Sequence, residues 1–205
     1  MGLFDAILGR KKVIATWNQV DDFVADHAAF VVNRSMYEYS RARSGVLAEK
    51  LFREKSFREA MDHGRWKAFP LGVANIVELV DGRLRSAAQG REPVLLEALV
   101  ASGQRVLRRH PSPPGVSAEW WANAAQDMEK RVRLAAMAAP KAAQDIPKST
   151  FDEMFALVPI HPDLMKLDHE VVLNHVRGMM VNIASTLAEA IDPRALVEAL
   201  PPSQA

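Results

Sequence analysis

Cysteine does not occur anywhere in the 205 residues. Its absence excludes disulfides, thiolate metal sites, cysteine nucleophiles and redox dithiols. Long hydrophobic runs are also missing. No stretch approaches the roughly 18 apolar residues of a membrane-spanning helix. Neither sign of charge dominates, with 26 basic residues against 25 acidic ones and a net charge of +1. Nucleic-acid-binding domains normally carry a marked basic excess, so no nucleic-acid partner is expected. Alternating apolar residues bounded by Asn-Gly or Asp-Gly turns are absent, and Asp81-Gly82 falls inside a helical pattern, so no significant sheet is expected. No repeat of about 30–45 residues marks a solenoid.

What is present reads as globular and helical. Hydrophobic residues make up 49% and charged residues 25%, ordinary values for a folded domain. The balanced net charge hides an uneven distribution. Residues 1–70 hold 12 basic and 9 acidic groups, residues 71–145 hold 10 and 8, and residues 146–205 hold 4 and 8. Arginine outnumbers lysine 17 to 9, which fits a bacterial source. The opening MGLFDAILGRKK places its basic residues after the apolar stretch, opposite to a signal peptide, so a cytoplasmic chain is expected.

Helical spacing recurs along the chain. Thr16-x-x-Gln19 forms a capping-box pattern ahead of Val20, Phe23, Val24, Phe30 and Val31, a helix expected to run to about Arg43. Short helices follow at Val46–Lys55 and from Ser56. Pro70 is expected to start or kink a helix whose apolar face is Val73, Ile76, Val77 and Val80. Gln89-Gly90 is a stop, and Pro93 opens the next helix, with Leu95, Leu96, Leu99, Val100, Val106 and Leu107 facing inward. His110-Pro-Ser-Pro-Pro-Gly115 is the strongest break. Ser117 caps a helix bearing Trp120, Trp121, Met128, Val132 and Leu134; the two adjacent tryptophans diverge, so unequal burial is expected. Thr150-x-x-Glu153 reads as a second capping box. Asp168 is expected to cap the last long helix, with Val172, Val176, Met179, Ile183, Leu187 and Ile191 in register. Asp192-Pro193 opens a terminal helix. The expected fold is all-α, an irregular bundle of about seven to nine helices. Residues 13–110 and 117–200 form its two halves, packed as one domain across a Pro-rich break at 111–116, with an N-terminal segment at 1–12 and a tail at 201–205.

The sequence carries no catalytic or metal-binding pattern. A di-iron bundle needs paired Glu-x-x-His motifs, and none occurs; Glu59 and His63 lie four apart, a spacing that serves a surface pair. His161, His169 and His175 cluster in sequence, but His169 and His175, six apart, project from different helix faces. Phosphate-cradling glycine loops and the serine nucleophile elbow are absent. Asp21-Asp22 and Asp152-Glu153 are neighbours that diverge on a helix, as solvated faces do. Arg105, Arg108, Arg109 and His110 form one basic cluster, and Lys130, Arg131 and Arg133 another. Helix-dipole complementarity accounts for the first, and phosphate or headgroup contact is the sharper alternative. No catalytic, cofactor-binding or metal-ligating residue is assigned, and no cofactor is expected.

The N-terminal dodecamer carries the functional lean. Leu3, Phe4, Ile7 and Leu8 make one apolar stripe, and Arg10, Lys11 and Lys12 follow directly. This segment resembles aurein-type membrane-active peptides that begin Gly-Leu-Phe-Asp, over about ten residues only. The resemblance implies peripheral binding to an anionic membrane surface. The same stripe also suits the protein's own body or a partner's groove. In the last long helix, Gly178, Asn182 and Ser185 form a small, polar track suited to a helix–helix or subunit contact. The reading is a helical accessory or adaptor protein that acts by binding a protein partner, peripheral to a bacterial membrane or within a membrane-associated complex. The alternatives are a pocket protein for an apolar ligand such as a lipid or quinone, and, at lower weight, a metal-dependent enzyme.

Overall fold

The computed structural model describes residues 13–111 and 113–202. Among these, the fold is all-α: nine α-helices, two short 3-10 turns and no strand. The first helix, α1 (Trp17–Ser44), starts where the capping box places it. Thr16 Oγ1 accepts from the Gln19 amide at 3.4 Å, and Gln19 Oε1 accepts from the Thr16 amide at 3.0 Å. Two orphan donors are satisfied reciprocally. Gly45, at φ 51°, turns the chain away from the helix end, a conformation glycine adopts without a Cβ penalty.

A 3-10 turn leads into α2 (Ala48–Arg53), and α3 (Lys55–Leu84) follows. Of the two roles expected of Pro70, starting or kinking a helix, the start is corrected, because α3 continues through it. Proline forfeits one hydrogen bond and clashes with the preceding turn, at about 3 kcal/mol. Ala68, Phe69, Val73, Ile76, Val77 and Val80 are all buried around it, and burying side chains of this kind contributes roughly 1.5–3 kcal/mol each. Tertiary packing therefore holds the helix together. α3 is the central helix, in contact with α1 and with α4 (Glu92–Arg108) and α5 (Ala118–Ala136). A Cβ at Gly72 would meet the Ala28 carbonyl oxygen at 3.2 Å, so α1 and α3 approach closely there.

Gly90, at φ 82°, makes the turn before α4. Ser117 caps α5 by accepting from the Trp120 amide at 3.1 Å. On α5, Trp121, Met128 and Val132 are buried. Leu134, expected with them, is exposed; it lies about 200° around the helix from Val132. The capping box expected at Thr150 and Glu153 does not form at α6 (Phe151–Ala156). The Thr150 hydroxyl is buried and accepts instead from Asn75 Nδ2 at 2.8 Å, while Glu153 pairs with Arg131. Asp168 does not cap with its side chain either. Its carboxylate accepts from Tyr39 Oη at 2.9 Å and faces Arg43 at 3.4 Å.

After α7 (Pro162–Met165) comes α8 (His169–Ala190), then α9 (Pro193–Glu198), capped by Asp192 as expected. α1 and α8 lie antiparallel. Tyr39 meets Asp168 at one end, and His175 Nε2 meets Glu38 at 3.1 Å. At the other end a single parallel bridge joins Ile14 to Ile191. There the Ile14 amide donates to the Ala190 carbonyl at 2.8 Å, and the Asp192 amide donates to the Ile14 carbonyl at 2.9 Å. One hydrophobic core runs from α1 to α9 and takes residues from both sides of the Pro-rich break. No helix among the described residues is long and apolar enough to cross a membrane.

Candidate interaction surface

Leu3, Phe4, Ile7, Leu8, Arg10, Lys11 and Lys12 lie outside the described residues. Gly178, Asn182 and Ser185 do lie on one side of α8, and all three are exposed. A Cβ built on Gly178 would meet nothing within 4 Å. The close helix approach that small residues permit is therefore not made at Gly178 within the described chain.

The exposed apolar side chains are concentrated around this same helix pair. Among the described residues, eleven large hydrophobics are exposed. Leu134 and Met137, at the end of α5, are two of them. The other nine belong to α1, α7, α8 or the segments flanking them. On α1, Phe30, Arg34, Tyr37 and Arg41 share an outward stripe at i, i+4, i+7 and i+11, and all are exposed. The Arg34 guanidinium lies 5.6 Å from the Phe30 ring centroid, a cation–π distance. Tyr37 meets Phe52 of α2 edge-on at 5.0 Å.

The densest part lies at the α8 N-terminal end. Val46 is 99% exposed and Leu167 is 91% exposed. Leu47 and Leu164, also exposed, stand around a hollow of about 430 Å³. Arg43 and Lys50 line that hollow with them. Two apolar tips, Leu47 after Gly45 and Leu164 of α7, thus face one hollow whose lining also holds Arg43, Lys50 and Glu54. Sequence reasoning missed both tips. The available signal was a pair of apolar residues directly after a glycine turn, and Leu164 and Leu167 in the short stretch between Pro162 and Asp168.

Most cations of the two basic clusters are paired with carboxylates of the chain itself. Arg105 grips Asp21 with two bonds, Nε to Oδ2 at 2.6 Å and Nη2 to Oδ1 at 2.8 Å, and Ser102 Oγ donates to the same carboxylate at 2.6 Å. Asp21 is 2% exposed, which corrects the reading of Asp21-Asp22 as a solvated pair. Asp22 is exposed and pairs with Arg109 at 3.0 Å. Arg131 meets Glu153, Lys130 meets Asp127, and Arg133 bridges Glu97 and Glu129. The hydrogen bonds from Arg133 hold the Glu97 carboxyl below its ordinary range. Arg105, Arg109, Lys130, Arg131 and Arg133 already have carboxylate partners, which weakens the phosphate reading at those positions, while Arg108 is exposed and has no ion pair among the described residues.

The histidines are dispersed in the same way. His169 Nε2 lies 2.6 Å from Asp152 Oδ1, His161 faces Asp163 at 3.6 Å, and His63 Nδ1 lies 2.9 Å from the Gly115 carbonyl. Glu59 pairs with Lys55 and not with His63. No group of three metal-ligating side chains occurs among the described residues. The Asp152 hydrogen bond raises the His169 pKa. Burial, then the hydrogen bond to Asp168, raises that of Tyr39. The adjacent tryptophans are unequal, as expected: Trp121 is buried and Trp120 half-buried. No known protein family, curated protein or solved structure matches this chain.

Proposed function

We propose that this chain is a helical accessory protein that works by binding, an adaptor with contacts at opposite ends of the α1–α8 pair. The observation that carries this reading is the meeting of exposed Leu47 and Leu164 at one hollow at one end of that pair, with exposed Val46 and Leu167 within a few residues of them along the chain. Contiguous exposed apolar surface rimmed by charge is characteristic of contact sites. Residues 1–12 join the chain at the other end, where Ile14 bridges Ile191. The 22 residues of α8 set the two ends about 33 Å apart.

On this reading the apolar tips receive a protein partner. Residues 2–12 rest on an anionic membrane surface with Leu3, Phe4, Ile7 and Leu8 inward. Arg10, Lys11 and Lys12 add about 1 kcal/mol each near such a surface. Binding of this kind is peripheral and reversible. The fitting location is the cytoplasmic face of a bacterial inner membrane. Two variants separate the two contacts. V46E/L167E should lose the partner cross-linked in the native host yet still sediment with anionic vesicles. F4E/I7E should do the reverse. An unchanged cross-linked set in the first variant overturns the partner contact, and unchanged sedimentation in the second overturns the membrane contact.

A further inference from the structure

A second concavity, of about 410 Å³, lies between α3, α5 and α6, away from the two apolar tips. Its size falls in the range of small-molecule sites. Its apolar lining includes Leu71, Met128 and Leu157 beside Pro70, Trp120, Ala124 and Ala156, with Met128 fully buried. Its rim is charged, and most of that charge is already satisfied. Arg131 is held by Glu153 at 2.5 Å and by the Ser149 carbonyl at 3.2 Å. Asp127 is held by Lys130 at 2.9 Å.

Lys67 differs. It is half-buried, and no carboxylate lies within ion-pair distance of it among the described residues. Its ammonium instead lies 5.3 Å from the Trp120 ring centroid. A ring face attracts a cation but accepts no strong hydrogen bond, so three N–H donors remain to be shared with solvent or a ligand. An ammonium held over an indole in the lining of a cleft of mixed polarity is pre-oriented towards an anion whose body covers the apolar part of that lining. Preorganisation of this sort lowers the entropy lost on binding.

We infer that the α3–α5–α6 cleft binds a small monoanionic amphiphile, with its carboxylate on Lys67 and its apolar body against Leu71, Met128 and Leu157. The head would receive a charge-assisted hydrogen bond, about twice as strong as a neutral one. The body would replace water over apolar side chains.

Decanoate and decylamine below their micellar concentrations, and decanol below its solubility limit, are the probes. The full chain is titrated with each by calorimetry, with the labelled Met128 methyl resonance followed in parallel. Decanoate should bind saturably at one site and shift that resonance. Decanol should bind about tenfold more weakly, as loss of one charge-assisted bond implies, and decylamine more weakly still. Lys67→Met keeps the apolar stem and removes the charge; it should weaken decanoate about tenfold and leave decanol unchanged. A thermal melt of Lys67→Met shows whether the variant is folded, and if it is not, Lys67→Gln takes its place. Non-saturable binding, equal binding of decanoate and decylamine, or equal affinity of decanoate for the wild type and the folded variant overturns the assignment.

Discussion

At the scale of single residues, neighbours in the chain divide between opposite fates. Asp21 and Asp22 are adjacent, yet one is sealed beneath Arg105 and Ser102 and the other stands in solvent. Removing the buried carboxylate by Asp21→Ala leaves a fully buried Ser102 hydroxyl and a partly desolvated guanidinium without their acceptor. Breaking a buried pair in this way costs several kcal/mol. Arg105 retains some solvent access, so a loss of about 2–4 kcal/mol is expected in urea unfolding. Asp22→Ala should change stability by less than about 1 kcal/mol. Equal losses would contradict this account. His169 supplies a pH signature. Its native pKa is raised by Asp152, so its contribution is fully present below the unfolded value of about 6.5. That contribution is lost as pH rises through the native value. The stability gap between wild type and His169→Gln should therefore be wider at about pH 5.5 than at about pH 8.5; a gap that widens with pH would refute the pairing.

At the scale of elements, glycines show which helix faces are occupied. A Cβ at Gly64 would collide with the carbonyl oxygen of Leu157, and backbone cannot step aside. Gly64→Ala gains up to about 1 kcal/mol of helix propensity but forces apart α3 and the segment after α6. A net loss of about 1–3 kcal/mol is expected. Gly178→Ala meets open space and should stabilise the chain by about 0.5–1 kcal/mol. Denaturation midpoints that moved together would show that one of these faces is misassigned. The same contrast explains how much of the fold was legible in the sequence. Thr16–Gln19 and Asp192–Pro193 act within a few residues, so local pattern found them. Thr150 and Asp168 have equally good local patterns, but Asn75 and Tyr39 claim their oxygens from far along the chain. Pro70 likewise yields to packing that no local rule contains. Gly178, Asn182 and Ser185 were recognisable as a track, while their outward direction depends on which side of α8 meets α1. The Lys67–Trp120 pair, separated by more than fifty residues, left no trace in local spacing.

At the scale of the whole molecule, the question is whether the Pro-rich break divides the chain into separately stable parts. The core argues that it does not. Trp121, just after the break, is buried and donates from Nε1 to the Leu107 carbonyl at 3.4 Å. Its ring meets Trp66 of α3 with centroids 6.2 Å apart. Met128 of α5 packs against Gly103 of α4, where a Cβ would meet its sulfur at 2.8 Å. The N-terminal Ile14, in turn, is tied by two backbone bonds to Ala190 and Asp192. α5 packs against α3 and α4, and α8 against α1, so the two sides of the break share apolar surface that neither half could bury alone, and losing it would expose the core of both. Cooperative unfolding follows when the parts have no independent core. Far-ultraviolet circular dichroism reports every helix, whereas tryptophan emission is weighted to Trp66, Trp120 and Trp121 at the junction. The two probes should give coincident urea transitions with the same midpoint and slope. Emission changing well before the helical signal would mean that the junction separates first and that the two halves hold together on their own.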